Sequence, residues 1–72
     1  MVVQPHRYEI VLQGRLGARL EHVIEGFQVT STTNERTYLV GWVDDQAALQ
    51  GALRRVSDFG LGLVSVRQLP DN

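Results

Sequence analysis

The stretch 27–43, FQVTSTTNERTYLVGWV, decides the fold. Two runs rich in β-branched and aromatic residues flank a polar turn at 32–35, which is the pattern of a hairpin. Thr32 and Glu35 also match the spacing of a helix capping box, but a β-rich segment follows and the strand reading prevails. The second run, TYLVGWV, is apolar on both faces, as expected for a strand with neighbours on either side.

The flanking segments extend the pattern. RYEIVLQ (7–13) alternates, with Tyr8, Ile10 and Leu12 on one face and Arg7, Glu9, Val11 and Gln13 on the other, the period of a half-buried strand. GARLEHVIEG (17–26) changes to helical spacing: Leu16, Leu20, Val23, Ile24 and Phe27 share one arc, and Gly26 stands where a left-handed C-terminal residue is expected. Gly17 is its weak N-cap. Asp44 or Asp45 caps a second helix over about 45–58, whose stripe is Ala48, Leu49, Ala52, Leu53 and Val56, closed by Phe59. LGLVSVRQL (61–69) is the last strand. The predicted order is βαββαβ, an α+β ferredoxin-like two-layer sandwich. Its four-stranded antiparallel sheet has the order 4-1-3-2 and both helices on one face.

Seventy-two residues make one domain, with an ordered core over 7–69 and short ends. A chain of this size buries only about 60% of its unfolded surface, so extra stability from self-association is expected. There is no cysteine, which excludes disulfides, thiolate metal sites and thiol catalysis. The net charge of −1 argues against nonspecific nucleic-acid binding. All seven basic residues are arginine, the mark of a GC-rich genome. No apolar run approaches the length of about 18 residues needed to cross a membrane, and MVVQPHRYEI has no signal-peptide hydrophobic region. A cytoplasmic protein is expected.

Helices on one face leave the other face of the sheet uncovered. Gly41 suits the close approach of a helix, so Leu39, Gly41 and Val43 are assigned inward and Tyr38, Val40 and Trp42 outward. The inverse assignment stays open, because Trp is also a natural core residue. With the first assignment, Val11, Tyr38, Val40 and Trp42 form an apolar patch rimmed by Glu9, Gln28, Thr30 and Arg67. Such a patch marks an interface, and Trp and Tyr are frequent anchors. The expected function is a non-catalytic interaction module that forms a homo-oligomer, a dimer first of all, through this face. An RNA-recognition domain would need aromatics where Glu9 and Val11 stand. An effector-binding regulatory module of the ACT type is the alternative, with a small-molecule ligand.

Other motifs have structural readings. Asp58-Phe59-Gly60 spells the magnesium-binding DFG of protein kinases, but a kinase also needs a strand lysine, and lysine is absent. The motif reads instead as a helix ending, with Phe59 in the core, Gly60 left-handed and Leu61 making the accompanying hydrophobic contact. LQGRLGAR (12–19) places Gly14, Arg15, Gly17 and Arg19 at a helix start, a candidate anion site. It is faintly similar to the phosphate loop of acylphosphatases, although Asn34 is assigned to a distant hairpin turn. His6 and His22 do not form a metal-ligand cluster, and no metal or other cofactor is expected. Ala47, Gly51 and Arg54 on the outer face of the second helix are candidate contacts for a partner helix.

YEIVLQGRL, DDQAALQGALRRV and GLGLVSVRQL together resemble a family of short, mostly uncharacterised actinobacterial proteins. The likeness covers 7–69 and departs at Gln50, where such sequences often have His, and at Gly17, where a Ser cap is common. The resemblance implies a small stand-alone ferredoxin-like domain and carries no activity with it.

Overall fold

The computed structural model describes residues 5–17 and 24–70. Strand β1 spans His6–Gln13, β2 Phe27–Thr32, β3 Arg36–Val43 and β4 Leu63–Gln68; helix α1 spans Gln46–Asp58. The strands form one sheet in the order β2-β3-β1-β4, and every neighbouring pair is antiparallel.

This corrects the expected two-helix ferredoxin-like βαββαβ sandwich. Among the described residues there are four strands and one helix. Most of the segment expected as a first helix, 18–23, lies outside the described residues. Its described end is not helical: Ile24 is a bend, Glu25 and Gly26 form a turn, and the Phe27 N–H donates to the Ile24 carbonyl at 3.2 Å. Apolar residues at Leu16, Ile24 and Phe27 are required here because all three pack into the core from irregular chain or a strand. At these three described positions the apolar residues serve burial from non-helical chain.

The core lies on one side of the sheet. Ile10 and Leu12 from β1, Phe27 from β2 and Leu39 and Val43 from β3 meet Leu49, Ala52 and Val56 from α1, with Ile24 among them. On β3 the buried set is Thr37, Leu39, Gly41 and Val43, whereas Trp42 is 59% exposed. Among the described residues, Gly26 and Phe27 are what approach Gly41. A Cβ built there would lie 2.8 Å from Phe27 Cγ and 2.9 Å from Phe27 Cδ2, and also against the Gly26 carbonyl oxygen. Phe27 is the cross-strand partner of Gly41, and its ring occupies the volume that a side chain on β3 would need.

Both ends of α1 are specified locally. Asp45 is the N-cap, in an extended conformation, and its carboxylate accepts from the Ala48 N–H at 2.8 Å. At the other end the Leu61 N–H donates to the Val56 carbonyl and the Gly60 N–H to the Ser57 carbonyl, both at 2.9 Å. These are the two bonds of a Schellman motif, with Gly60 at φ +69. Leu61 then packs against the core, as the motif requires. Phe59 departs from expectation: as the C-cap it is 62% exposed, because the chain leaves the helical arc there and Leu61 closes the core in its place. Ala48, also assigned to the buried stripe, is exposed.

No atom lies within 4 Å of a Cβ added at Gly60, so only the backbone conformation opposes a side chain. Gly60→Ala is expected to cost about 1 kcal/mol or more, a fall of roughly 4–8 °C in melting temperature for a domain of this size. Thermal unfolding followed by circular dichroism measures it, and an unchanged midpoint would contradict the left-handed cap.

Candidate functional site on the uncovered sheet face

Strand alternation sends Arg7, Glu9, Val11 and Gln13 to the side of the sheet opposite the core, together with Arg36, Tyr38, Val40 and Trp42. The register sets these as facing pairs: Arg7 opposite Trp42, Glu9 opposite Val40 and Val11 opposite Tyr38. On the far side of β1, β4 places Arg67 beside Glu9 and Ser65 beside Val11. On the far side of β3, β2 places Gln28 beside Val40 and Ser31 beside Tyr38. The sequence-derived set Val11, Tyr38, Val40 and Trp42 is thus contiguous, with Arg67 on its rim.

Exposure is graded across this face. Val11 at the centre is only 4% exposed, enclosed on β1 between β3 and β4. Tyr38 and Val40 are half-buried, and Trp42 is open. The Arg67 Nε donates to Glu9 Oε1 at 2.9 Å, but the arginine is largely exposed, so the pair contributes about 0–1 kcal/mol. It holds the carboxylate of Glu9 at the β4 side, away from Trp42.

A groove of about 590 Å³ opens at the β2 side of this face. Arg7, Val40 and Trp42 line one side, Gln28 and Thr30 the other, and the Gly26–Phe27 step closes its end. Among the described residues Arg7 is the only charged one that lines it. The Arg7 Nε is buried and has no hydrogen-bond partner, a rare condition that costs free energy unless something supplies an acceptor. Sequence reading did not single out Arg7. Its alternation placed it outward, but its position facing Trp42 follows from the register, which no local pattern encodes.

The other candidates are dispersed. In the proposed anion loop, Arg19 lies outside the described residues. Gly14, Arg15, Leu16 and Gly17 belong to an irregular segment that is tied down internally. The Gly14 N–H donates to the Glu35 carbonyl at 2.6 Å, and the Leu16 N–H donates to Thr37 Oγ1 at 3.0 Å. Thr37 Oγ1 in turn donates to the Gly14 carbonyl at 2.8 Å. Two amides that an anion would use are therefore committed to the fold. Asn34 is not distant from this loop: antiparallel pairing of β1 with β3 brings Arg15 Nη1 to 3.4 Å from Asn34 Oδ1. Both side chains are exposed, which leaves the contact weak. Thr37 is the residue sequence analysis missed here; a polar residue in phase with Leu39 and Val43 on a buried strand face was the available signal.

Ala47, Gly51 and Arg54 are all exposed on α1, and Gly51 has open space where a side chain would go. Gly51 borders a smaller hollow of about 210 Å³, which Glu25, Arg55 and the other side of Trp42 also line. His22 lies outside the described residues, and His6 belongs to β1, its Nδ1 3.0 Å from Gln68 Nε2.

A family defined by its sequence matches residues 7–67, nearly the whole chain, and its description is a domain of unknown function, DUF8691. The chain belongs to the DUF8691 family. No curated protein and no solved structure matches it. In this DUF8691 domain the matched span includes all of β2, β3 and α1, and with them every residue of the apolar patch and the groove. Among the described residues of the DUF8691 domain there is no group of three or more His, Cys, Asp or Glu residues placed to hold a metal ion. No helix among them is long and apolar enough to cross a membrane.

Proposed function

We propose that this DUF8691 domain is an interaction module that self-associates through the uncovered sheet face, with Trp42 as the anchor. One observation carries the reading: a tryptophan 59% exposed beside half-buried Tyr38 and Val40, on a sheet face that the described chain leaves bare. Burying an indole and its neighbours contributes roughly 2–3 kcal/mol per large side chain, a substantial gain for a domain this small.

The sheet edges are poorer routes to a partner. The pairing of β2 is interrupted at Thr30, between Val29 and Ser31, and that of β4 at Val64, opposite the Val11–Leu12 step. Bulges of this kind twist an edge and break the regular row of donors and acceptors that strand addition requires. A second copy of the chain docks face to face, and a two-fold arrangement lets Trp42 of each copy reach the Val40 region of the other. The arginine-only basic set supports a GC-rich source.

Size-exclusion chromatography with light scattering tests the reading. The native chain is expected to run as a dimer whose melting temperature rises with protein concentration, and Trp42→Ser as a folded monomer with a lower, concentration-independent melting temperature. A monomeric native chain would refute self-association. A Trp42→Ser variant that remains dimeric would place the interface elsewhere.

A further inference from the structure

We infer that the groove between Arg7 and Trp42 is a binding site for a small aromatic monocarboxylate. The inference goes beyond self-association: the groove shares Val40 and Trp42 with the proposed interface, so a ligand there competes with the second copy.

The charge of the ligand follows from the lining. Among the described residues Arg7 is the only ionised group on the groove wall, and the nearest carboxylate on the same strand, Glu9, is engaged by Arg67. An anion therefore meets one cation and no carboxylate among the lining side chains. The planar guanidinium presents Nε–H and Nη–H as a parallel fork that matches the two oxygens of a carboxylate. Here the Nε arm of that fork has no partner. A carboxylate held at Arg7 in the groove would supply the acceptor that the Nε lacks. A phosphate dianion is less well matched, because the groove offers one guanidinium and the backbone amides of the Gly14–Gly17 loop are not part of it.

The remainder of the ligand follows from the opposite position on β3. Trp42 faces Arg7 across the β1–β3 pair, and Val40 stands next along the same face. An exposed indole with an aliphatic neighbour favours a flat apolar group by offset stacking. Gln28 and Thr30 on the other wall supply neutral hydrogen-bonding groups, which orient a ligand without competing for its charge. The volume of about 590 Å³ lies within the range of small-molecule sites.

Trp42 is the only tryptophan in the chain, so its fluorescence reads the site directly. The native full-length chain is titrated with phenylacetate, with the uncharged isostere phenylacetamide, and with acetate, which lacks the ring. Saturable change is expected with phenylacetate, and binding about tenfold weaker or more with each control. Amide NMR shifts should cluster at Arg7, Gln28, Val40 and Trp42. Arg7→Gln should reduce phenylacetate binding to the level of phenylacetamide and leave phenylacetamide unaffected. Equal affinity for phenylacetate and phenylacetamide overturns the inference, and so do shifts confined to another part of the chain. If Arg7→Gln fails to fold, the comparison of the two ligands on the native chain still decides. Light scattering on the same samples separates the two readings. A native monomer that discriminates the carboxylate refutes self-association alone, and a chain that does not discriminate even when diluted until light scattering shows a monomer refutes the ligand site alone.

Discussion

Gly41→Ala is expected to destabilise the domain by about 3 kcal/mol or more, the upper range for overpacking a well-filled site. The added methyl would fall 2.8 Å from the Phe27 ring and against the Gly26 carbonyl oxygen. Neither neighbour can yield cheaply. The ring is 4% exposed and packed in the core, and the carbonyl belongs to the turn that leads into β2. Relief would need β2 to move away from β3, which would break the pairing of Phe27 with Gly41 and of Gln28 with Val40. A domain of this length has roughly 4–11 kcal/mol in all, so the substitution removes a large fraction of its stability. At roughly 4–8 °C per kcal/mol, the melting temperature should fall by about 12 °C or more. Thermal unfolding measures this directly. A fall of only a few degrees would mean that Phe27 does not sit over Gly41. Gly51→Ala is the matched control, since nothing lies within 4 Å of the added carbon.

The second large effect is expected at Thr37, which is fully buried. Its hydroxyl accepts from the Leu16 N–H and donates to the Gly14 carbonyl, tying the segment after β1 to β3. Thr37→Val keeps the shape and removes both bonds, leaving a donor and an acceptor unpaired in a part-buried setting. Each unpaired buried group costs about 1–3 kcal/mol, and because these two are only partly enclosed the sum should be about 2 kcal/mol. Thr37→Ser keeps the hydroxyl and loses one methyl group, about 1 kcal/mol. The expected order of denaturant midpoints is therefore native, then Ser, then Val. Faster amide exchange at Leu16 should accompany the Val variant alone. A Val variant as stable as the native chain would show that the loop does not depend on these bonds.

Much of the molecule was legible locally. Alternation in 7–13 and the β-branched and aromatic run 37–43 beyond a polar turn identified two strands, and Gly60 marked the turn after α1 through the left-handed conformation it adopts. Asp45 marked the start of α1 because a carboxylate ahead of an apolar stripe caps free amides. The described ends of the segment expected as a first helix show where such reading stops. Leu16, Ile24 and Phe27 had helical spacing, yet the described positions reach the core from irregular chain and from the start of β2. Phe59 shows the same limit at the other end, since one residue beyond the helical arc reverses the direction of a side chain.

The uncovered face divides in the same way. Its apolar members, Val11, Tyr38, Val40 and Trp42, follow from strand parity, a property of period two that the chain carries residue by residue. Its chemistry does not. That Arg7 faces Trp42, that Glu9 is held by Arg67, and that Gln28 closes the groove from β2 all depend on register between strands far apart in sequence. Register is set by long-range packing, by the Phe27 ring filling the space at Gly41 and by the bulges at Thr30 and Val64. The sequence alone determined which residues could lie outward; only the tertiary structure decided which of them meet, because a shift of a single residue would exchange the two faces.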